Sequence, residues 1–144
     1  MFGPSDKSLE PARMTDRIQT AIGLVDPLTL SKAITGDYDN RSLGVINDHE
    51  IRMSVMTAQY RWHRHPDSDE TFFGVEGELI IEFSDREVSV KPGQFLTVPA
   101  GTLHRTRPAG PRSVNLTFER IGAATIFEEW STAVDRGTSS PLLG

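Results

Sequence analysis

The chain of 144 residues contains no cysteine. That excludes a disulfide framework, and it leaves only nitrogen and oxygen ligands for any metal site. No apolar run is long enough to cross a bilayer. The N-terminal stretch MFGPSDKSLEPARM has no apolar core of signal-peptide length, so a cytoplasmic location is expected. Lysine is scarce, with three residues against twelve arginines, and no basic run occurs. Together with a net charge of −5, this argues against a nucleic-acid or anionic-membrane partner. Internal repeats and low-complexity tracts are also absent. What is present, 37% hydrophobic and 24% charged residues, suits one soluble globular domain with a single core.

The punctuation along the chain separates three regions. Residues 1–42 read as an N-terminal arm, polar and interrupted by Pro4 and Pro11, with Ile18, Ile22 and Val25 at loosely helical spacing. Within the arm, Asp26-Pro27 followed by LTLSKAIT and Gly36 predicts a short helix, with Asp26 as N-cap and Gly36 as its stop. From residue 43 to 120 the hydrophobic period is two. Ile51, Met53 and Val55 alternate with Arg52, Ser54 and Met56; Leu79, Ile81 and Phe83 with Glu78, Ile80 and Glu82; Val114, Leu116 and Phe118 with Asn115, Thr117 and Glu119. Gly77, Ser84-Asp85, Pro92-Gly93, Pro99 to Gly101 and Pro108 to Pro111 break these runs. Short strands at such intervals predict an all-β sandwich or barrel. Over 121–144, Thr125 and Glu128 match a capping box, and Ile126, Phe127, Trp130 and Val134 form a helical stripe ending at Gly137. A C-terminal helix is expected there, packed on the barrel or on a partner subunit.

The segment WHRHPDSDETFFGVEG carries the chemistry. Two of the four histidines, His63 and His65, are one residue apart, so on a strand both imidazoles aim at one face. Neutral imidazole is a strong ligand for transition metals. Glu70 follows Pro66-Asp67, where the chain can turn back beside the pair. A third imidazole, His104, follows the turn at Pro99 to Gly101. His49 lies in the turn-like stretch INDHEI and is read as an exposed loop residue, and Asp67 and Asp69 as solvated loop acids.

With these residues the sequence resembles a cupin. His63, His65, Glu70 and Gly77 fall at the spacings of the first cupin motif. Gly93, Pro99, Gly101 and His104 fall at those of the second. Thr57 replaces the leading glycine of the first motif, and Pro108 the terminal asparagine of the second; neither position is a metal ligand in the family. The short stretch 78–92 between the motifs is similar to that of small single-domain microbial cupins. The resemblance implies a single jelly-roll-like β-barrel holding one divalent transition metal per chain through His63, His65, Glu70 and His104. Zinc is favoured, with iron, manganese, nickel, cobalt and copper admitted by the same ligands. It also implies a small-molecule substrate and a homodimer.

Strand parity makes an environment for the site. If His63 faces inward, so do Ile51, Met53, Val55, Thr57, Gln59 and Arg61; Glu70 carries Phe72 with it, and His104 carries Thr102 and Thr106. Phe95 and Phe118 join the core or pocket. This predicts an apolar cavity, with Gln59, Tyr60, Arg61 and Thr106 as the candidate catalytic groups. The activity expected from the resemblance is non-redox, metal-assisted chemistry on an enolisable carbonyl compound, as in a cyclase, isomerase or lyase. A polyketide cyclase is one example. An iron-dependent dioxygenase and a non-catalytic sensory module are the alternatives.

Overall fold

The structure is a computed structural model that describes residues 23–128. It begins with one short helix, α1 (Pro27–Ser31). Asp26 caps it as expected, accepting from the Thr29 backbone N–H at 3.1 Å, with proline at the first helical position. The helix stops at Ser31, before Gly36, because the chain is captured there by the barrel: the Arg112 guanidinium donates to the Ser31 and Ile34 carbonyls, and Ser31 is fully buried. Gly36, at φ +103, makes the turn into the first strand instead.

Ten strands follow: β1 (Tyr38–Ile46), β2 (His49–Met56), β3 (His63–Arg64), β4 (Glu70–Glu76), β5 (Leu79–Glu82), β6 (Glu87–Val90), β7 (Phe95–Val98), β8 (Arg105–Pro108), β9 (Ser113–Arg120) and β10 (Ile126–Phe127). They form a five-stranded sheet in the order β1-β2-β9-β4-β7, a three-stranded sheet β6-β5-β8, and the small pair β10-β3. Every ladder is antiparallel. Strands distant in sequence lie side by side, which gives the jelly-roll-like, all-β architecture. Two further links join the sheets: an isolated bridge from His63 to His104, and one from Gly74 to Pro92.

Apolar clusters cover part of each face of the large sheet. Between the sheets, Met56, Phe72, Leu79, Ile81, Val90 and Val98 form one apolar cluster. On the opposite face, Leu43, Met53, Val55 and Val114 form a second, with Ile34, Val75 and Leu116 against it. The register explains the division. Val114 faces Val55, Leu116 faces Met53 and Phe118 faces Ile51, while Asn115 faces Ser54, Thr117 faces Arg52 and Glu119 faces Glu50. Successive side chains alternate faces, so β2 and β9 present an apolar row to the outside and a polar row to the barrel interior.

This reverses the expected parity. Ile51, Met53 and Val55 do not share a face with His63, because β2 ends at Met56 and residues 57–62 are not extended in a ladder. A two-residue period holds only within a continuous strand. Thr57 leaves the strand to bond Asp37, through both its N–H and its hydroxyl. Phe95 is 69% exposed, and Phe118 is half-buried on the outer face, so neither enters the pocket.

The start of the expected C-terminal helix is also corrected. Ile126 and Phe127 are strand β10, paired with Arg64 and His63. Thr125 and Glu128 do not cap one another: the Thr125 hydroxyl lies by His65, the Glu128 N–H donates to the Trp62 carbonyl, and the Glu128 carboxylate pairs with Arg64 at 3.0 Å. The short β3 edge recruits this segment, and ladder pairing overrides local helical spacing. Trp130, Val134 and Gly137, and the arm with Ile18 and Ile22, lie outside the described residues. Among those described, no helix is long and apolar enough to cross a membrane.

The turn after β4 depends on Gly77, whose φ is +72. A Cβ there would also strike the backbone carbonyl of Arg112. Gly93 has a similar φ of +85 but open space around it. Gly77→Ala should therefore cost about 3 kcal/mol or more, backbone strain adding to a collision that only main-chain movement relieves, against about 1 kcal/mol for Gly93→Ala. Urea denaturation of the two variants checks the difference.

Candidate metal centre

The four residues singled out by spacing meet in space. His63 and the loop after β3 supply two imidazoles, the first residue of β4 supplies Glu70, and His104 precedes β8. The backbone bridge between His63 and His104, with N–H to carbonyl distances of 2.9 and 3.0 Å, brings the motifs together. One donor atom from each of the four residues lies within 4.8 Å of the others, and all four are buried. Such a cluster could hold one metal ion.

The orientation of the imidazoles fits that role. Each histidine directs Nδ1 at a backbone carbonyl: His63 at Arg61 (2.7 Å), His65 at Ala124 (3.0 Å) and His104 at Thr102 (2.8 Å). A Nδ1–H donated to a carbonyl fixes the ring and places the Nε2 lone pair on the other side, where a metal can take it. The Nε2 atoms of His65 and His104 both lie against Glu70 Oε1, at 3.2 and 3.3 Å. The acids read as solvated are part of this support. Asp67 accepts from the Ala124 N–H at 3.0 Å, steadying the carbonyl that orients His65. Asp69 accepts from the Ala100 N–H at 2.8 Å, tying down the turn that delivers His104. His49 opens β2, exposed and paired with Asp48.

Electrostatics concentrate at this spot. Burial pushes His63 down to about 4, helped by the charge of His104. Burial acts in the same direction on His65, but the hydrogen bond and charge of Glu70 outweigh it and raise His65 to about 9. Burial would raise Glu70; the hydrogen bonds from His104 and His65 hold it far below the ordinary carboxylate range instead. Glu119 is pushed up to about 8 by burial and by the negative charge and hydrogen bond of Glu70.

A cavity of about 380 Å³ opens from the cluster. Its lining corrects the expectation of an apolar pocket. Beside Met56 and Phe72 it presents Asn40, Glu50, Arg52, Ser54, Asn115, Thr117 and Glu119, the polar rows of β1, β2 and β9. Of the candidate catalytic residues, Tyr60 and Thr106 line the cavity. Tyr60 meets the His63 ring edge-on at 5.1 Å and stacks on Tyr38 at 4.8 Å. Gln59 is turned away to Glu82 at 3.0 Å, and the Arg61 guanidinium lies over the Phe127 ring at 4.0 Å; neither lines the cavity. Thr102 faces away from it as well.

Glu119, Asn115 and Thr117 escaped the sequence reading because their alternation looks like a solvent-facing strand surface. A signal was present: that row carries an amide and a hydroxyl where a solvated face would favour lysine and glutamate.

Alanine at His63, His65, Glu70 or His104 should cut metal content of the purified protein several-fold or more, while His49→Ala leaves it unchanged; elemental analysis checks this. The apparent affinity should rise from mildly acidic to mildly alkaline solution, because a proton on His65 competes with the ion and is lost only as the pH approaches about 9. Metal titrations across that range measure it.

Comparison with known proteins agrees with the geometry. The family model described as a cupin domain matches residues 51–118. YdbB, an uncharacterized protein of Bacillus subtilis (strain 168), is 44% identical over 103 residues, 71% of this chain and 90% of YdbB. Quercetin 2,3-dioxygenase of the same organism is 40% identical over 82 residues, 53% of this chain but 24% of that enzyme, so the chain spans about a quarter of its length. Among solved structures, a cupin-2 domain containing protein from Shewanella frigidimarina NCIMB 400 superposes with a TM-score of 0.63 at 22% identity, over 67% of this chain and 94% of that one. Motif spacing, barrel topology and these relatives converge: the chain belongs to the cupin superfamily.

Proposed function

We propose that the protein is a metal-dependent enzyme that moves a proton on a small carbonyl compound bearing a neighbouring oxygen, an isomerase, lyase or cyclase in type. The observation that carries this is the convergence of three oriented imidazoles and Glu70 at the end of a polar cavity into which Glu119 also projects. The ligand set favours zinc. A divalent ion held there would supply a Lewis acid that polarises the carbonyl and makes the adjacent C–H more acidic.

The chain's own groups do the rest. Glu119 shares a hydrogen bond with Glu70 and is placed to hold the proton exchanged with the substrate carbon. Thr106 and Tyr60 offer hydroxyls on the cavity wall for orientation. Phe72, on β4, supplies a flat apolar surface to the cavity wall beside His104. The polar lining removes the reason to favour an apolar polyketide chain, and it favours a compact oxygenated substrate.

One observation supports a second reading. Quercetin 2,3-dioxygenase is 40% identical to this chain over 82 residues, and nitrogen and oxygen donors of this kind also suit iron. The two readings part over oxygen. The zinc-loaded protein, incubated under argon in D2O with dihydroxyacetone, should catalyse deuterium incorporation next to the carbonyl, seen by proton NMR. Glu119→Gln should slow that exchange by about 10²-fold or more, the usual contribution of a positioned acid or base, with metal content unchanged. Oxygen uptake by an iron-loaded sample with quercetin, alongside an inert zinc form, would assign the oxygenase instead.

A further inference from the structure

The polar wall of the cavity contains two groups that the fold leaves unanswered. Asn115 and Thr117 are 1% and 2% exposed, and both line the cavity. Neither the Asn115 side-chain nitrogen, nor its oxygen, nor the Thr117 hydroxyl has a hydrogen-bond partner among the described residues. Buried polar side chains are nearly always paired, so each such group calls for an explanation. Ser42 and Ser113 also carry unpaired buried hydroxyls, but neither lines the cavity.

The neighbours of the two residues are already committed. On β2, Ser54 opposite Asn115 accepts from Asn40 at 2.7 Å. Arg52, opposite Thr117, donates to Asn40 and to Glu50. On β4, the residue opposite Asn115 is Gly74, which has no side chain to offer, and a Cβ there would run into the Lys91 carbonyl. Phe72, opposite Thr117, has no polar atom. Among the described residues, none of these neighbours bonds the Asn115 amide or the Thr117 hydroxyl.

We propose that Asn115 and Thr117 form a hydroxyl-recognition subsite, so that the substrate is a polyhydroxylated compound whose chelating end lies at the metal cluster and whose further hydroxyls run along β9. The substrate class rests on the function proposed above, whereas the subsite itself does not. Two arguments select hydroxyls. The amide offers a donor and an acceptor, and the threonine hydroxyl is both; a hydroxyl answers either, whereas a carboxylate answers donors alone. Among the described residues of this wall the cation is Arg52, and it is paired with Glu50, so it is not waiting for a second acid group. The strand also sets the spacing. Glu119 contacts Glu70, and Thr117 and Asn115 lie about 7 and 14 Å further along β9 at the ordinary strand rise, so a six-carbon chain anchored at the cluster reaches Thr117 and a disaccharide-sized one reaches Asn115.

Two probes share a chelating head and a chain length and differ only in hydroxyls: D-gluconate and (R)-2-hydroxyhexanoate. Isothermal titration of the zinc-loaded protein should show gluconate binding more tightly by at least about tenfold, since a site built to hydrogen-bond hydroxyls rejects analogues without them. Thr117→Val, close to isosteric, should erase most of that preference, and Asn115→Leu should weaken binding of the disaccharide acid lactobionate but not of gluconate, with 2-hydroxyhexanoate affinity and zinc content unchanged in both. Equal binding of the two probes overturns the subsite. So does a gluconate preference that survives Thr117→Val, which would reflect the chelating power of gluconate itself. If Asn115→Leu does not fold, Thr117→Val alone decides. His104→Ala separates the two levels: a hydroxyl preference retained without metal upholds the subsite and refutes the chelating reading of the function.

Discussion

A buried carboxylate sets the terms for this structure. Glu70 is 7% exposed, and an unpaired charge at that depth would cost several kcal/mol. It is compensated by His65 and His104, each with Nε2 within 3.3 Å of the same oxygen. Those histidines are in turn held by backbone carbonyls, and the carbonyls by turns that Asp67 and Asp69 fasten. The bridge between His63 and His104 then joins the two halves of the motif. Each layer exists to keep one charge and three rings in a fixed relation, which a metal site requires of its surroundings.

The barrel is organised so that this centre opens onto water-compatible surface and not onto oil. Of the apolar clusters, one lies between the sheets and reaches the cavity only through Met56 and Phe72, and the other lies on the outer face of the large sheet. The interior of the five-stranded sheet near the cluster is left to amides, hydroxyls and the Arg52 pair with Glu50 and Asn40. Stability and chemistry thus use different faces of the same strands: Met53 and Leu116 pack outside, while Arg52 and Thr117 face the cavity.

The expectation of an apolar pocket fails for a definite reason. It carried the alternation of β2 across residues 57–62 to His63, where the ladder is interrupted. One break in register exchanges the faces, and the polar half of the alternation becomes the inner one. The Thr125 to Glu128 segment fails differently. Its local pattern is a sound helix start, but the unpaired edge of β3 offers backbone partners that local propensity cannot see.

By itself the sequence determined the all-β class, three of the alternating strands, the Asp26 cap and, through its resemblance to the cupin motifs, the four residues of the cluster. The strands and the cap follow from short-range rules: a period of two, turn-forming glycines and prolines, and an Asp-Pro helix start. Tertiary structure alone decided which face of β2 and β9 looks inward, that Glu119 meets Glu70, that Asp67 and Asp69 brace the site, and that Asn115 and Thr117 are buried without partners. Those are facts about residues brought together from far apart in the chain, and pattern along the chain carries no information about which strand will stand opposite.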